Sequence, residues 1–233
     1  MTDKHLSSQF EDELHVVSVQ LIELGRLVDA QICQTMEALS HFDARGAQQV
    51  LAEEVQVNRL EADIDHEITT IIARRQPAAR DLRLLMAISK ASGSLERVGN
   101  EADKMAHRVL KLVSAAAKRV APPQGLDQAT LLVAGLLRAA LDAFARRDLA
   151  AAMKVLKEDD PVYQELEALV HSLIVAMIDK PNMISIDVEL ISLAKSLELI
   201  LDHTKHIAEL VVYVVQGADV RHTPVEQIEL LLS

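Results

Sequence analysis

Carboxylates recur one helical turn apart in both halves of this chain. In the segment Leu95-Glu96-Arg97-Val98-Gly99-Asn100-Glu101-Ala102-Asp103-Lys104-Met105-Ala106, Glu96 is followed four residues on by Asn100, with Asp103 a turn further along. In Leu197-Glu198-Leu199-Ile200-Leu201-Asp202-His203-Thr204-Lys205-His206-Ile207-Ala208-Glu209, Glu198 is followed by Asp202 at the same spacing. Glu61 and Asp65 make a third such pair. Side chains at i and i+4 are neighbours on a helix surface, near enough to share one ion. Carboxylate and amide oxygens suit hard divalent cations, and the donor set leaves Mg, Mn, Ca, Fe and Zn open.

At about 100° per residue, the polar residues around Glu96 fall into two stripes. Lys90, Arg97, Glu101, Lys104 and Arg108 alternate in sign, the pattern of a solvated, salt-bridge-laced face. Ser89, Glu96, Asn100, Asp103 and His107 form a second stripe without Lys or Arg. Either a cation sits there or the stripe is well hydrated. Around Glu198 the same phase holds Asp187, Glu198, Asp202, Lys205 and Glu209, while Leu199, His203, His206 and Leu210 replace the solvated stripe and suggest a buried or contact face. His203 and His206 could assist a metal, although such histidines are more often surface or interface residues. The paired Glu-x-x-His motifs of ferritin-like di-metal bundles are missing, and Asp63-x-x-His66 is only a near match. No Gly-x-Ser-x-Gly, phosphate-cradling glycine loop or Cys/His nucleophile pair occurs, so no enzymatic activity is expected.

The elements that must carry these residues read as long helices. Val17, Leu21, Leu24, Val28, Ile32, Thr35/Met36 and Leu39 step by threes and fours in a helix expected from Phe10 to Phe42, with Gly46 marking a break after Asp43. Leu60, Ile64, Ile68 and Ile71 mark a second helix, closed by Arg74-Arg75-Gln76-Pro77. Leu84, Ile88, Ala91, Leu95, Val98, Ala102, Met105 and Val109 mark a third, from Ala78 to about Ala117. After Pro122-Pro123-Gln124-Gly125 the pattern restarts. Further helices are expected over 127–146, over 149–179 with a kink or restart at Asp160-Pro161, and over 186–216 up to Gly217. The halves align: Asp43 with Asp148, Glu53-Glu54 with Glu158-Asp159, Pro77 with Pro181 and Glu96 with Glu198. The expected fold is all-α, six long antiparallel helices in two tandem three-helix bundles, residues 1–121 and 122–233.

Composition agrees. Of 233 residues, 50% are hydrophobic and only 7 are glycine, which favours long helices over sheets. A net charge of −11 and 2% aromatics argue against a nucleic-acid surface. Cys33 is the only cysteine, so no intrachain disulfide can form, which fits a reducing compartment; it is expected as a small buried thiol. The N-terminus lacks signal-peptide order, and the runs Leu131–Leu137 and Leu210–Val215 fall short of the ~20 residues a membrane span needs. A cytoplasmic protein without membrane insertion is expected.

Leu95-Glu96-Arg97-Val98-Gly99-Asn100 resembles the Leu-Glu-Arg-Ile-Gly-Asp signature of the PhoU phosphate-signalling family. Arg74 to Arg83, Leu141 to Asp148 and Tyr213 to His222 are similar to other stretches of that family. The resemblance implies a non-enzymatic negative regulator of the phosphate-starvation response. Such a regulator couples the ATPase subunit of a phosphate ABC transporter to a sensor histidine kinase, forms homodimers, and holds metal at the repeated carboxylate faces. On this sequence the implied ligands are Glu61, Asp65, Glu96, Asn100, Asp103, Glu198 and Asp202.

The chain departs from the pattern at Asn100 (usually Asp), Leu199 and Leu201 (usually Arg and Gly), His206 (often Asn) and Tyr163 (often acidic). Asn100 removes one charge, so weaker or altered metal binding is expected at the first site. A helical metalloprotein or metalloenzyme, and a metal-free helical scaffold, remain the alternatives from the residues themselves.

Overall fold

The computed structural model describes residues 2–115 and 123–232. Six long helices are present: α1 (Thr2–His41), α2 (Ala44–Arg75), α3 (Ala79–Ala115), α4 (Gln124–Arg146), α5 (Leu149–Asp179) and α6 (Ile184–Gln216). A 3-10 turn, Pro181–Met183, leads into α6, and a short α7 (Val225–Leu232) ends the chain. The seventh helix is absent from the sequence expectation; it begins right after Pro224, with Ile228 as its buried anchor. The expected domain boundary and the end of the third helix at Ala117 lie outside the described residues.

Several boundaries differ from expectation for local reasons. α1 starts at Thr2 rather than Phe10, because its first turns carry no core periodicity to read. The break between α1 and α2 comes from Asp43, not Gly46. Phe42 takes a positive φ of 54°, and the Asp43 carboxylate then accepts from the Arg45 amide at 2.9 Å, which supplies the N-cap of α2. Gly46 lies in the first turn, where a Cβ would stand 3.0 Å from Asp43 Oδ2. Gln76 closes α2 in the left-handed conformation and returns its N–H to the Ile72 carbonyl. α5 runs through Pro161 as one helix, with no restart. Val155, Leu156, Val162 and Leu166 are buried on both sides of the proline and outweigh its lost hydrogen bond.

The three helices of each half pack on one another, α1–α2–α3 and α4–α5–α6. The halves join through α1 against α4 and α3 against α6, leaving α2 and α5 on opposite flanks. α3 and α6 run antiparallel: Lys90 lies 5.4 Å above the Tyr213 ring, and Arg108 donates to Glu189 at 2.9 Å. α1 and α4 do likewise, with Arg138 3.6 Å from Asp29 and Ser40 donating to Asp127. The core is continuous through both bundles. Every residue of the expected α1 stripe and the α3 stripe is buried, and each large aliphatic side chain among them contributes about 1.5–3 kcal/mol by leaving water.

Three sequence readings are corrected by the structure. The stripe from Lys90 to Arg108 is not simply solvated: Lys90 and Arg108 reach α6, and Glu101 is buried, held by Lys104 at 2.7 Å. Nor is every apolar run too short for a bilayer. Residues Gly125–Arg146 of α4 are long and apolar enough by composition, and 56% of that window is buried against the other helices. Cys33 is half-buried rather than buried, and burial, then the Asp29 charge, raises its thiol pKa.

Candidate functional site

Two acidic patches flank the α3/α6 seam. In the first, α2 presents Glu61 and Asp65 to α3. Ser89 Oγ donates to Asp65 Oδ1 at 3.1 Å, and Asn100 Nδ2 donates to Glu96 Oε1 at 2.6 Å. Burial, then the charges of Asp65 and Glu96, raises the Glu61 carboxyl pKa, so the three acids share one field. Among the described residues no lysine, arginine or histidine pairs with any of them. Asp103 stands apart from this group: its neighbour is His107, at 3.7 Å.

The second patch is built differently. Glu198 and Asp202 on α6 are joined by Asp159 from α5, a residue the sequence analysis aligned with Glu54 but did not place at a site. Lys195 Nζ donates to both carboxylate oxygens of Glu198, at 2.8 and 2.7 Å, and Lys205 Nζ donates to Asp159 Oδ2 at 2.7 Å. Asp159 and Glu198 are 7% and 8% exposed. Asp202 opens toward solvent, yet the protein beside it raises its pKa, as do Asp159 and Glu198, while Lys205 opposes them. Lys205 belongs to this stripe by sequence, but the cation that pins Glu198 is Lys195, which the stripe did not include. The signal for it was present, since Lys195 precedes Glu198 by three residues.

Glu96 and Glu198 nonetheless occupy matching faces, each on the third helix of its bundle and each turned toward the second. The α5 residues that align with Glu61 and Asp65 are Leu166, fully buried, and Val170, packed on the core, so the second bundle draws its acid from Asp159 instead. Asp187 is remote from the patch, near the start of α6.

His203 is half-buried at the seam. Burial, then the charges of Arg97 and His206, lowers its pKa, against Glu101 and Glu96. His206 lies 3.3 Å from Glu209. His203 therefore serves the contact between bundles, while His206 pairs within α6. Among the described residues, no three His, Cys, Asp or Glu side chains stand close enough together to grip a metal ion as they are placed. A cleft of about 770 Å³ lies away from both patches, between α1, the start of α3 and the end of α4.

The PhoU domain family model matches this chain twice, at residues 21–109 and 126–211. The chain belongs to the PhoU family. It is 45% identical over 229 residues to a Burkholderia protein named phosphate-specific transport system accessory protein PhoU homolog, covering 98% of this chain and 97% of that one. It is 34% identical over 232 residues to the Escherichia coli K12 phosphate-specific transport system accessory protein PhoU, covering 99% and 95%. The crystal structure of PhoU from Pseudomonas aeruginosa superposes with a TM-score of 0.84 at 39% identity, over 90% of this chain and all of that one. The two matched segments fall one on each bundle, so the PhoU repeat and the bundle are the same unit. The family signature Leu95–Asn100 sits where α3 faces α2. Its Gly99 has a packing role: a Cβ there would stand 3.0 Å from Val57 Cγ1 of α2.

Proposed function

We propose that this chain is an accessory regulator of phosphate transport that works in the cytoplasm without catalysis. It restrains the phosphate-starvation response as an adaptor between the ATPase subunit of a phosphate ABC transporter and a sensor histidine kinase. The observation that carries this reading is near-full-length identity of 34–45% to proteins named as accessory to the phosphate-specific transport system. An adaptor also needs outward apolar side chains, and Ile174, Val175, Ile178, Ile184 and Val188 supply them at the α5/α6 end. A homodimer is part of the reading. Pull-down from phosphate-replete cells is expected to recover the transporter ATPase and the kinase. Deletion of the gene is expected to raise phosphate-responsive transcription in replete medium; unchanged transcription and uptake would overturn the assignment.

The α2/α3 patch is the proposed cation site. Glu61, Asp65 and Glu96 offer hard oxygen donors without a counter-ion among the described residues, which suits Mg, Mn, Fe or Zn. Asn100 Nδ2 holds the Glu96 carboxylate, and modest side-chain movement must close the set around an ion. A metal-free scaffold is the second reading, and the lysine-bound Glu198 is the observation that favours it in the second bundle.

A further inference from the structure

The two repeats share a fold and an acidic patch, but they balance its charge in different ways. In the first, no lysine, arginine or histidine among the described residues forms an ion pair with Glu61, Asp65 or Glu96. In the second, Asp159, Glu198 and Asp202 face two ammonium groups, both carried by α6: Lys195 on Glu198 of the same helix and Lys205 on Asp159 of α5. We infer that Lys195 and Lys205 are tethered counter-ions that fill the α5/α6 patch in place of a divalent cation, so the two repeats of this chain have divided into a cation-responsive half and a permanently closed half. This rests on the cation reading of the α2/α3 patch only for the first half of that statement.

Three features carry the assignment. Position comes first: Lys195 Nζ touches both Glu198 oxygens, so any further ligand to either must approach beside an ammonium. A divalent cation sits about 2.0–2.6 Å from carboxylate oxygens, so it and the ammonium compete for one space. Second, charge: two ammoniums offset two of the three carboxylates, removing most of the field that would draw a divalent ion. Third, reach: the Lys205 ammonium extends from α6 to Asp159 Oδ2 on α5 at 2.7 Å, so the closure spans both helices of the patch. The residues aligned with Asn100 and Gly99 in the second bundle, Asp202 and Leu201, agree. An acid is tolerated where the first repeat has an amide, because a lysine stands beside it.

Mn²⁺ titration of the chelator-stripped full chain, following free Mn²⁺ by electron paramagnetic resonance, tests this. Glu198→Gln is expected to leave the number of bound Mn²⁺ ions unchanged, while Lys195→Met/Lys205→Met gains one ion per chain that adding Glu198→Gln removes. Loss of a bound ion on Glu198→Gln in the otherwise native chain overturns the inference. So does a folded double-lysine variant, checked by circular dichroism, that gains no ion. If that variant does not fold, the Glu198→Gln comparison decides alone. The α2/α3 reading fails separately, if Glu96→Gln leaves Mn²⁺ binding unchanged.

Discussion

Lys195 grips both carboxylate oxygens of Glu198, three residues further along α6, at 2.8 and 2.7 Å. The carboxylate side chain is 10% exposed and the lysine 52%, so the pair is a buried acid closed by a solvent-edge cation. Removing the lysine leaves a charge with little water around it. With screening at the exposed end, Lys195→Met is expected to lower unfolding free energy by about 1 kcal/mol in metal-free buffer. Adding Glu198→Gln should restore most of the loss. Urea denaturation of the two single variants and the double variant gives the coupling directly.

Two helical glycines of α3 should respond in opposite directions. Gly93 has nothing within 4 Å of an added Cβ, so Gly93→Ala is expected to gain about 0.5–1 kcal/mol from helix propensity alone. Gly99 faces Val57 at 3.0 Å and Val28 at 3.5 Å, where α1, α2 and α3 meet. Gly99→Leu, the residue its counterpart Leu201 carries, is expected to cost about 1–3 kcal/mol by overpacking. Denaturant midpoints of the two variants check both signs.

Pro161 interrupts the hydrogen-bond ladder of α5 at an exposed position with buried neighbours on either side. Pro161→Ala restores the missing donor and removes the ring clash. A gain of about 1–3 kcal/mol is expected, below the full interior penalty because α5 has already settled around the ring. A rise in Tm by calorimetry is the readout.

The fold was legible because helix periodicity, paired with proline and glycine punctuation, sets element type and order. The stripes from Val17 to Leu39 and from Leu84 to Val109 are buried as their spacing requires. The α3/α6 docking was less legible. A stripe such as Lys90, Arg97, Glu101, Lys104 and Arg108 has the same alternating signs whether it faces water or a second helix with matching charges. Only the partner Glu189 and the Tyr213 ring, far away in sequence, distinguish the two. The acidic faces were legible by type and phase, but their charge balance was not. Lys195 lies outside the acidic stripe read from phase, and its long side chain reaches forward one turn to Glu198. Asp159 was hidden because the second bundle takes its α5 acid from a different turn than Glu61 occupies in α2.

Arg75 binds Glu13 in a fork, Nε to Oε2 at 2.9 Å and Nη2 to Oε1 at 2.8 Å, with Arg74 3.8 Å away. This bond holds the Glu13 carboxyl below its ordinary 4.5; burial opposes it, and the charges of Arg75 and Arg74 add to it. The folded state therefore binds the proton less readily than the unfolded chain. The stabilisation is fully present above pH 4.5 and is lost as pH falls toward the lower folded-state value. Glu13→Gln should lower the urea midpoint at pH 7 and flatten its decline between neutral and acid pH. An unchanged acid limb would show that the pair contributes nothing to acid stability.

Asp187 has the opposite linkage. It is 7% exposed, its Oδ2 has no hydrogen-bond partner, and burial raises its carboxyl pKa above 3.8, with Lys180 opposing. A raised folded-state value means the acid favours the fold only when protonated. That contribution is complete below pH 3.8 and is lost as pH rises through the folded-state value, so the carboxylate is a net cost at neutral pH. Asp187→Leu removes the unsatisfied oxygen, worth about 1–3 kcal/mol, and forfeits a favourable first-turn charge worth about 0.3–1 kcal/mol. The balance predicts stabilisation of about 1–2 kcal/mol at pH 7. That advantage should shrink steadily toward pH 3.8, where the native side chain takes up its proton and the cost of burying charge disappears. Paired denaturation curves at neutral and acid pH read both the sign and its disappearance.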